Sequence, residues 1–220
     1  NGWKVFNLSR HTGKEQTENI THIYCDVSSE KSVKEAVQQV YQNTKYVDIL
    51  IANAGYGISG PIEMTPLQEA KHQMEVNFFG AFNIIQAIIP EMRKRRQGKI
   101  IFTSSVAGLL PVPYQAVYSA SKAAINALAL ALQNELREFN IKVSALLPGD
   151  VSTAFTDSRT KTQGTIIYTR ADKAVSAMEK DERNGMKPDQ MAKIMWKIAH
   201  KKNPAPMYIG GLMYQVLCFL

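Results

Sequence analysis

Asp48-Ile49-Leu50-Ile51-Ala52-Asn53-Ala54-Gly55 holds an apolar run too short for a stable helix, followed by a polar residue, an alanine and a glycine. Such a run reads as a buried strand that opens into a turn. The arrangement recurs along the chain. Val5–Leu8, Ile23–Cys25, Ile100–Thr103, Val143–Leu147 and Met207–Ile209 also read as strands, whereas Glu30–Tyr41, Leu67–Met92, Tyr118–Phe139 and Pro188–His200 carry helical spacing. Ser28 or Ser29 can cap the first helix, and Pro66 suits the first turn of the second. Strand and helix alternating at this spacing imply right-handed crossovers and an α/β fold, a doubly wound parallel sheet covered on both faces.

Composition narrows the class. The chain has 220 residues, 45% hydrophobic and 20% charged, which supports a packed core and excludes disorder. With no internal repeat and no dividing linker, a single domain over residues 1–220 is expected. Two cysteines, Cys25 and Cys218, are too few for a disulfide framework and fit a reducing, cytoplasmic compartment. No window approaches the ~18 uninterrupted apolar residues of a membrane span. Asn1-Gly2-Trp3-Lys4-Val5 lacks the pattern of a secretory signal. The formal charge is +7, and the densest basic run is Arg93-Lys94-Arg95-Arg96. That run ends a helical stretch, where cations complement the helix dipole, so no nucleic-acid partner is expected. His11, His22, His72 and His200 lie at no ligand spacing, and no metal site is expected. Cys25 follows a strand and reads as core.

Open parallel sheets bind ligands at the carboxyl ends of their strands. Three such ends here carry turn-forming or hydroxyl residues: Asn53-Ala54-Gly55, Ser104-Ser105, and Pro148-Gly149-Asp150-Val151-Ser152-Thr153. The sharpest pattern is Tyr118-Ser119-Ala120-Ser121-Lys122. Residues four apart share a helix face, so the Tyr118 hydroxyl and Lys122 ammonium can enter one pocket. A nearby cation favours phenolate and is expected to lower the tyrosine pKa from about 10 toward working pH, making Tyr118 a general acid/base. Ser105 stands thirteen residues upstream at a strand end; Ser104 is the alternative hydroxyl, but the spacing favours Ser105.

The ordered set Cys25-Asp26-Val27, Asp48–Gly55, Asn77, Ser105, Tyr118, Lys122 and Pro148-Gly149 resembles the short-chain dehydrogenase/reductase family, from residue 4 to about 155. The resemblance implies a Rossmann-like fold and hydride transfer between a nicotinamide dinucleotide and a secondary alcohol or ketone. It makes Tyr118 the proton donor or acceptor, Ser105 the hydrogen-bond partner of the substrate oxygen, and Lys122 the holder of the nicotinamide ribose. Asn77 would anchor a water linking Lys122 to solvent; the alternative is that it merely satisfies backbone in a helix bend. Asp26 and Val27 would contact adenine, Val151 and Thr153 the carboxamide, and Asn53, Ala54, Gly55, Pro148 and Gly149 would line the dinucleotide.

Cofactor choice rests on Asn7-Leu8-Ser9-Arg10-His11. An NAD-selective fold of this kind places a carboxylate after that strand, to bind the ribose 2′-hydroxyl. Here Ser9 and Arg10 occupy the position, and no carboxylate follows until Glu15. Arg10 can grip a 2′-phosphate with its planar fork and Ser9 can donate to it, so NADP(H) is preferred over NAD(H). The family's Gly-rich turn, Thr-Gly-x-x-x-Gly-x-Gly, is absent from these residues. The family's first strand is central in its sheet, so the residues are expected to lack a strand–turn–helix unit of roughly 30 residues. The apolar run Val216–Leu220 is likewise expected to continue.

Leu109-Leu110-Pro111-Val112-Pro113-Tyr114 would line the substrate pocket and favours a hydrophobic, steroid- or lipid-like small molecule. A short-chain acyl thioester reductase and a non-catalytic dinucleotide sensor are the alternatives. Residues 156–185 are polar and weakly periodic and read as a substrate flap, or alternatively as an ordered helix packed on the domain. Phe155, Ile166, Ile167, Tyr168 and Met178 could cover an apolar ligand. The helix Tyr118–Phe139 is apolar on more than one side, and the family commonly pairs this helix across a two-fold axis; a homodimer or homotetramer is expected.

Overall fold

Ile100, Phe102, Ala145, Leu146 and Leu147 are wholly buried, as continuous apolar runs must be when both faces of a parallel sheet are covered. In the computed structural model, which describes residues 2–11, 19–162 and 167–218, they belong to β5 (Gly98–Thr103) and β6 (Ile141–Pro148). With β3 (Ile49–Ala52) and β8 (Met207–Gly210) these strands form a parallel sheet in the order β3-β5-β6-β8. β1 (Val5–Ser9) and β2 (Ile20–Tyr24) form a separate parallel pair. β1 and β3 end different sheets, yet Ile23, Leu8, Leu50 and Phe102 share one apolar core. A third pair, β4 (Ile58–Ser59) with β7 (Thr160–Lys161), lies outside the main sheet.

The first helix, α1 (Glu30–Asn43), is capped by Ser29, whose hydroxyl accepts from Ser32 N–H, and buries Val33, Ala36, Val37 and Val40. The expected single helix over Leu67–Met92 is instead three pieces. These are α2 (Leu67–Met74), a π turn (Glu75–Phe79) and α3 (Gly80–Arg95). The π turn bonds Gly80 N–H back to Glu75 and carries Asn77, a placement frequent at functional sites. Next come α4 (Ala116–Glu135), closed by a tighter turn at Arg137–Phe139, and α6 (Pro188–His200). β2 begins three residues earlier than the apolar pattern indicates, because Thr21 and His22 hide its start from a hydrophobicity reading.

Between β6 and α6, residues 156–185 hold β7 and a helix, α5 (Ala171–Arg183). The segment is therefore largely ordered: α5 is amphipathic and is tied to Arg159 and Lys161 by ion pairs, and Ala171 and Glu179 are its buried residues. Ile166 lies outside the described residues. A short helix, α7 (Leu212–Leu217), follows β8. Among the described residues no helix is long and apolar enough to cross a membrane.

Candidate active site

Four chain segments meet around Lys122. Its side chain runs from the buried face of α4, and its Nζ donates to Thr103 O at the end of β5 at 2.8 Å. Burial lowers this ammonium to about 8. Among the described residues Thr103 O is its one hydrogen-bond acceptor, and no carboxylate pairs with it. The turn after β3 comes within reach at Gly55, where a Cβ would stand 3.2 Å from Asn77 Oδ1 and 3.5 Å from Lys122 Nζ. A side chain there would crowd Asn77 Oδ1 and stand in contact with Lys122 Nζ.

Asn77 is almost completely buried, and its amide is nearly saturated. Oδ1 accepts from Tyr56 N–H, and Nδ2 donates to Tyr56 O and to Ser121 Oγ, each at 3.0 Å. Ser121 Oγ in turn donates to Tyr118 O at 2.7 Å, while Gln73 Nε2 adds a second bond to Tyr56 O at 3.0 Å. The π turn thus staples the β3 turn to the Tyr118–Lys122 stretch of α4. Asn77 does satisfy backbone, but that backbone belongs to the site.

Tyr118, 8% exposed, has its ring 5.8 Å from Lys122 Nζ and 5.6 Å from the ring of Phe155. Burial pushes its phenol up to about 12; the Ser105 hydroxyl and Arg159 pull it down, and Glu182 pushes it further up. The expected lowering by Lys122 is therefore corrected. That cation is itself destabilised by burial and directed at Thr103 O, so desolvation governs the phenol. Ser105 caps the turn Val106–Gly108 by accepting from Ala107 N–H at 3.1 Å and stays beside the phenol. Ser104 instead donates to Lys122 O at 3.1 Å, so the spacing argument chose the hydroxyl that faces Tyr118.

The residues assigned to the adenosine end form a second cluster, at the ends of β1 and β2. Asp26 accepts from Ser28 N–H and Oγ at 3.0 and 2.6 Å. These bonds, with Arg10 and His72 nearby, hold its carboxyl below the usual range. Arg10 is exposed, and its charge reaches both Asp26 and the Tyr56 phenol. Ser9 Oγ donates to His11 O at 2.7 Å, and Val27 O accepts from Asn83 at 2.9 Å. Asn53 and Ala54 are exposed beside Gly55.

After β6 the expected contacts are partly engaged by protein. A Cβ at Gly149 would strike the Tyr214 ring at 2.0 Å, so α7 already uses that space. Tyr214 also donates to Asp150, whose carboxyl burial raises. Val151 bridges to Met186, and Thr153 Oγ1 accepts from Phe155 N–H at 3.2 Å. Tyr214, Gln115 and Arg159 escaped the sequence reading, and no local pattern marks them.

A cleft of about 520 Å³ lies on the outer flank of α4, lined by Ile62, Leu67, Phe79, Ala116, Val117 and Ala120 among others. Tyr118 is not part of it.

The short chain dehydrogenase family pattern matches residues 4–164. A 3-ketodihydrosphingosine reductase from Bacteroides thetaiotaomicron is 40% identical over 213 residues, covering 94% of this chain and 79% of the relative. Retinol dehydrogenase 8 from Bos taurus is 31% identical over 211 residues, covering 91% and 67%. A solved short-chain dehydrogenase from Streptomyces avermitilis superposes with a TM-score of 0.88 at 23% identity, covering 99% and 82% of the two chains. With a parallel sheet flanked by helices, and Asn77, Ser105, Tyr118 and Lys122 in their order around the carboxyl end of β5, the chain belongs to the short-chain dehydrogenase/reductase family of nicotinamide-dependent oxidoreductases.

Proposed function

We propose that the protein is an NADP(H)-dependent oxidoreductase interconverting a ketone and a secondary alcohol on a hydrophobic, lipid-like substrate. When bound, the nicotinamide supplies or accepts the hydride. The protein does the rest. Tyr118 gives its hydroxyl proton to the carbonyl oxygen in reduction, while Ser105 Oγ hydrogen-bonds the same oxygen as charge grows on it. Lys122 binds the ribose hydroxyls with the N–H groups that Thr103 O leaves free. Asn77 keeps one lone pair of Oδ1 for a water through which protons return. Arg10 binds the 2′-phosphate, and Ser9 donates to it once its hydroxyl turns from His11 O, with Asp26 and Val27 beside the adenine. Asn53–Gly55, Pro148, Gly149, Val151 and Thr153 line the remainder.

The buried Lys122 ammonium carries this reading. An unpaired charge in a protein interior is costly, and its surplus donors fit a polyhydroxylated ligand that approaches over Gly55. The substrate class draws on half-exposed Leu109 and Leu110, exposed Ile167, and the Phe155 ring against Tyr118, together with the two lipid-active relatives. Residues 156–185 would cover that substrate. A homodimer through the outer flank of α4 is part of the same proposal, since Ile62, Leu67, Phe79 and Leu130 are exposed apolar residues there.

The test is NADPH oxidation at 340 nm with 3-ketodihydrosphingosine, retinaldehyde and a steroid ketone. Tyr118→Phe should lower turnover by ~10²–10⁴-fold while NADPH binding stays near the parent value. Near-parental turnover of that variant would end the mechanism.

A further inference from the structure

Arg159 is a fully buried arginine that the reaction scheme does not use. Its side chain has no exposed surface, and it touches three separate parts of the site. Nη2 lies 2.5 Å from Glu182 and Nη1 3.6 Å from Glu179, both on α5. The Gln115 amide stands against the guanidinium, and with its oxygen assigned to that side, the orientation that satisfies both groups, it accepts from Nε and Nη2 at 3.2 and 3.3 Å. Gln115 is the residue on which α4 starts, three positions before Tyr118. The guanidinium also stands 5.5 Å from the Phe155 ring centroid, and that ring stands 5.6 Å from the ring of Tyr118.

We infer that Arg159 is a positioning residue that pins α5 and the start of α4 together and presses Phe155 against Tyr118, so fixing the orientation of the phenol toward the substrate oxygen. The inference rests on the reading of Tyr118 as proton donor. A buried ion pair is poor evidence for stability, because well-packed apolar residues of similar volume hold a core at least as well. What apolar residues cannot supply is a planar fork with fixed directions, and here the fork joins two elements, α5 through Glu182 and Glu179 and the start of α4 through Gln115. Glu182 is oriented from its other side by Thr156 Oγ1 at 2.7 Å, and Glu179 by Lys161 at 2.8 Å, so the carboxylates hold the fork rather than follow it. Gly57 belongs to the same device, since a Cβ there would press on Phe155 at 3.1 Å and on Arg159 Nε at 3.4 Å. The parallel pairing of β4 with β7 brings Gly57 and Arg159 side by side through the bond from Thr160 N–H to Gly57 O at 3.0 Å.

The experiment is a double-mutant cycle between Arg159→Met/Glu182→Gln and Phe155→Leu, in the full chain with NADPH and 3-ketodihydrosphingosine, or the panel ketone that is turned over. Changing Glu182 together with Arg159 avoids stranding its carboxylate, and Glu179 keeps Lys161. The expected result is a kcat at least tenfold lower for each, with NADPH affinity by fluorescence unchanged within twofold. The combined variant should be no slower than the slower parent variant, because both changes remove one arrangement. A kcat within twofold of the parent overturns the inference, as do losses that multiply. Should the double substitution fail to fold, Phe155→Leu decides alone, its tenfold loss supporting the pin and parental kcat refuting it. Tyr118→Phe runs alongside. If it stays active, the reaction scheme is what fails; if it is dead while the Arg159 and Phe155 variants run at parental rate, only the pin fails.

Discussion

Replacing Lys122 by methionine keeps an unbranched stem in the pocket and deletes the ammonium. Burial lowers that ammonium from 10.5 to about 8, a preference of ~3 kcal/mol for the neutral amine. The unfolded chain binds the proton more tightly, so between about 8 and 10.5 folding releases protons and stability rises with pH. Below that window the folded protein bears the whole cost. Methionine removes it but leaves Thr103 O, the acceptor at 2.8 Å, without its donor, a loss of ~1 kcal/mol. The ligand-free variant should therefore be more stable than the parent by about 2 kcal/mol at pH 7. In a chain of this length that is a rise in Tm of about 4–8 °C. The assay is calorimetric melting of both proteins without cofactor at pH 7 and pH 10. By pH 10 most of the parent's cost is relieved, and the two should agree within ~1 kcal/mol. A variant that melts at or below the parent at pH 7, or a gap unchanged at pH 10, would refute the claim that a desolvated charge is held here. The same variant should lose turnover and cofactor affinity together, so stability and function move in opposite directions.

Asn77→Ala removes the two bonds that hold Tyr56 and the one to Ser121, and should cost ~2–3 kcal/mol in urea unfolding, with faster exchange at Tyr56 N–H; parental stability would show that the π turn holds the β3 turn unaided. Arg10→Glu should weaken NADPH binding at least tenfold and favour NADH, checked by fluorescence titration; an unchanged ratio of the two affinities removes Arg10 from the 2′-phosphate. Leu67→Glu combined with Leu130→Glu should convert a dimer to a monomer in sedimentation at micromolar protein, and a parent that already sediments as a monomer overturns the pairing through α4.

Much of the fold was legible because its signals are local. Ile49–Ala52 and Pro188–His200 have the bounds that their apolar runs and flanking turn residues indicate. The α4 pair Tyr118 and Lys122 was readable for the same reason, since four positions on a helix bring two side chains to one face whatever surrounds them. Ser105 could be chosen over Ser104 by counting to Tyr118 along the chain. Where local pattern was weak, the reading stopped short. α5 has few large apolar residues and sits in a polar stretch, and the ion pairs of Glu179 and Glu182 with Arg159 and Lys161 are made across the fold, where a hydrophobicity pattern does not register them.

The chain's own order of residues determined the alternation of strand and helix, the turn at Asn53–Gly55, and which hydroxyl, phenol and ammonium stand at the carboxyl end of β5. Only tertiary structure decided their protonation. Proximity to Lys122 predicted an acidified Tyr118, but both groups lie in the interior, and desolvation is the largest influence on each, pushing the phenol up to about 12 and the ammonium down to about 8. Tertiary structure also decided the partners that come from afar: Tyr214 over Gly149, Asn77 on Tyr56, and Arg159 on Gln115. Burial and long-range contact are properties of the assembled core, set by many residues at once, and no short stretch of sequence encodes them.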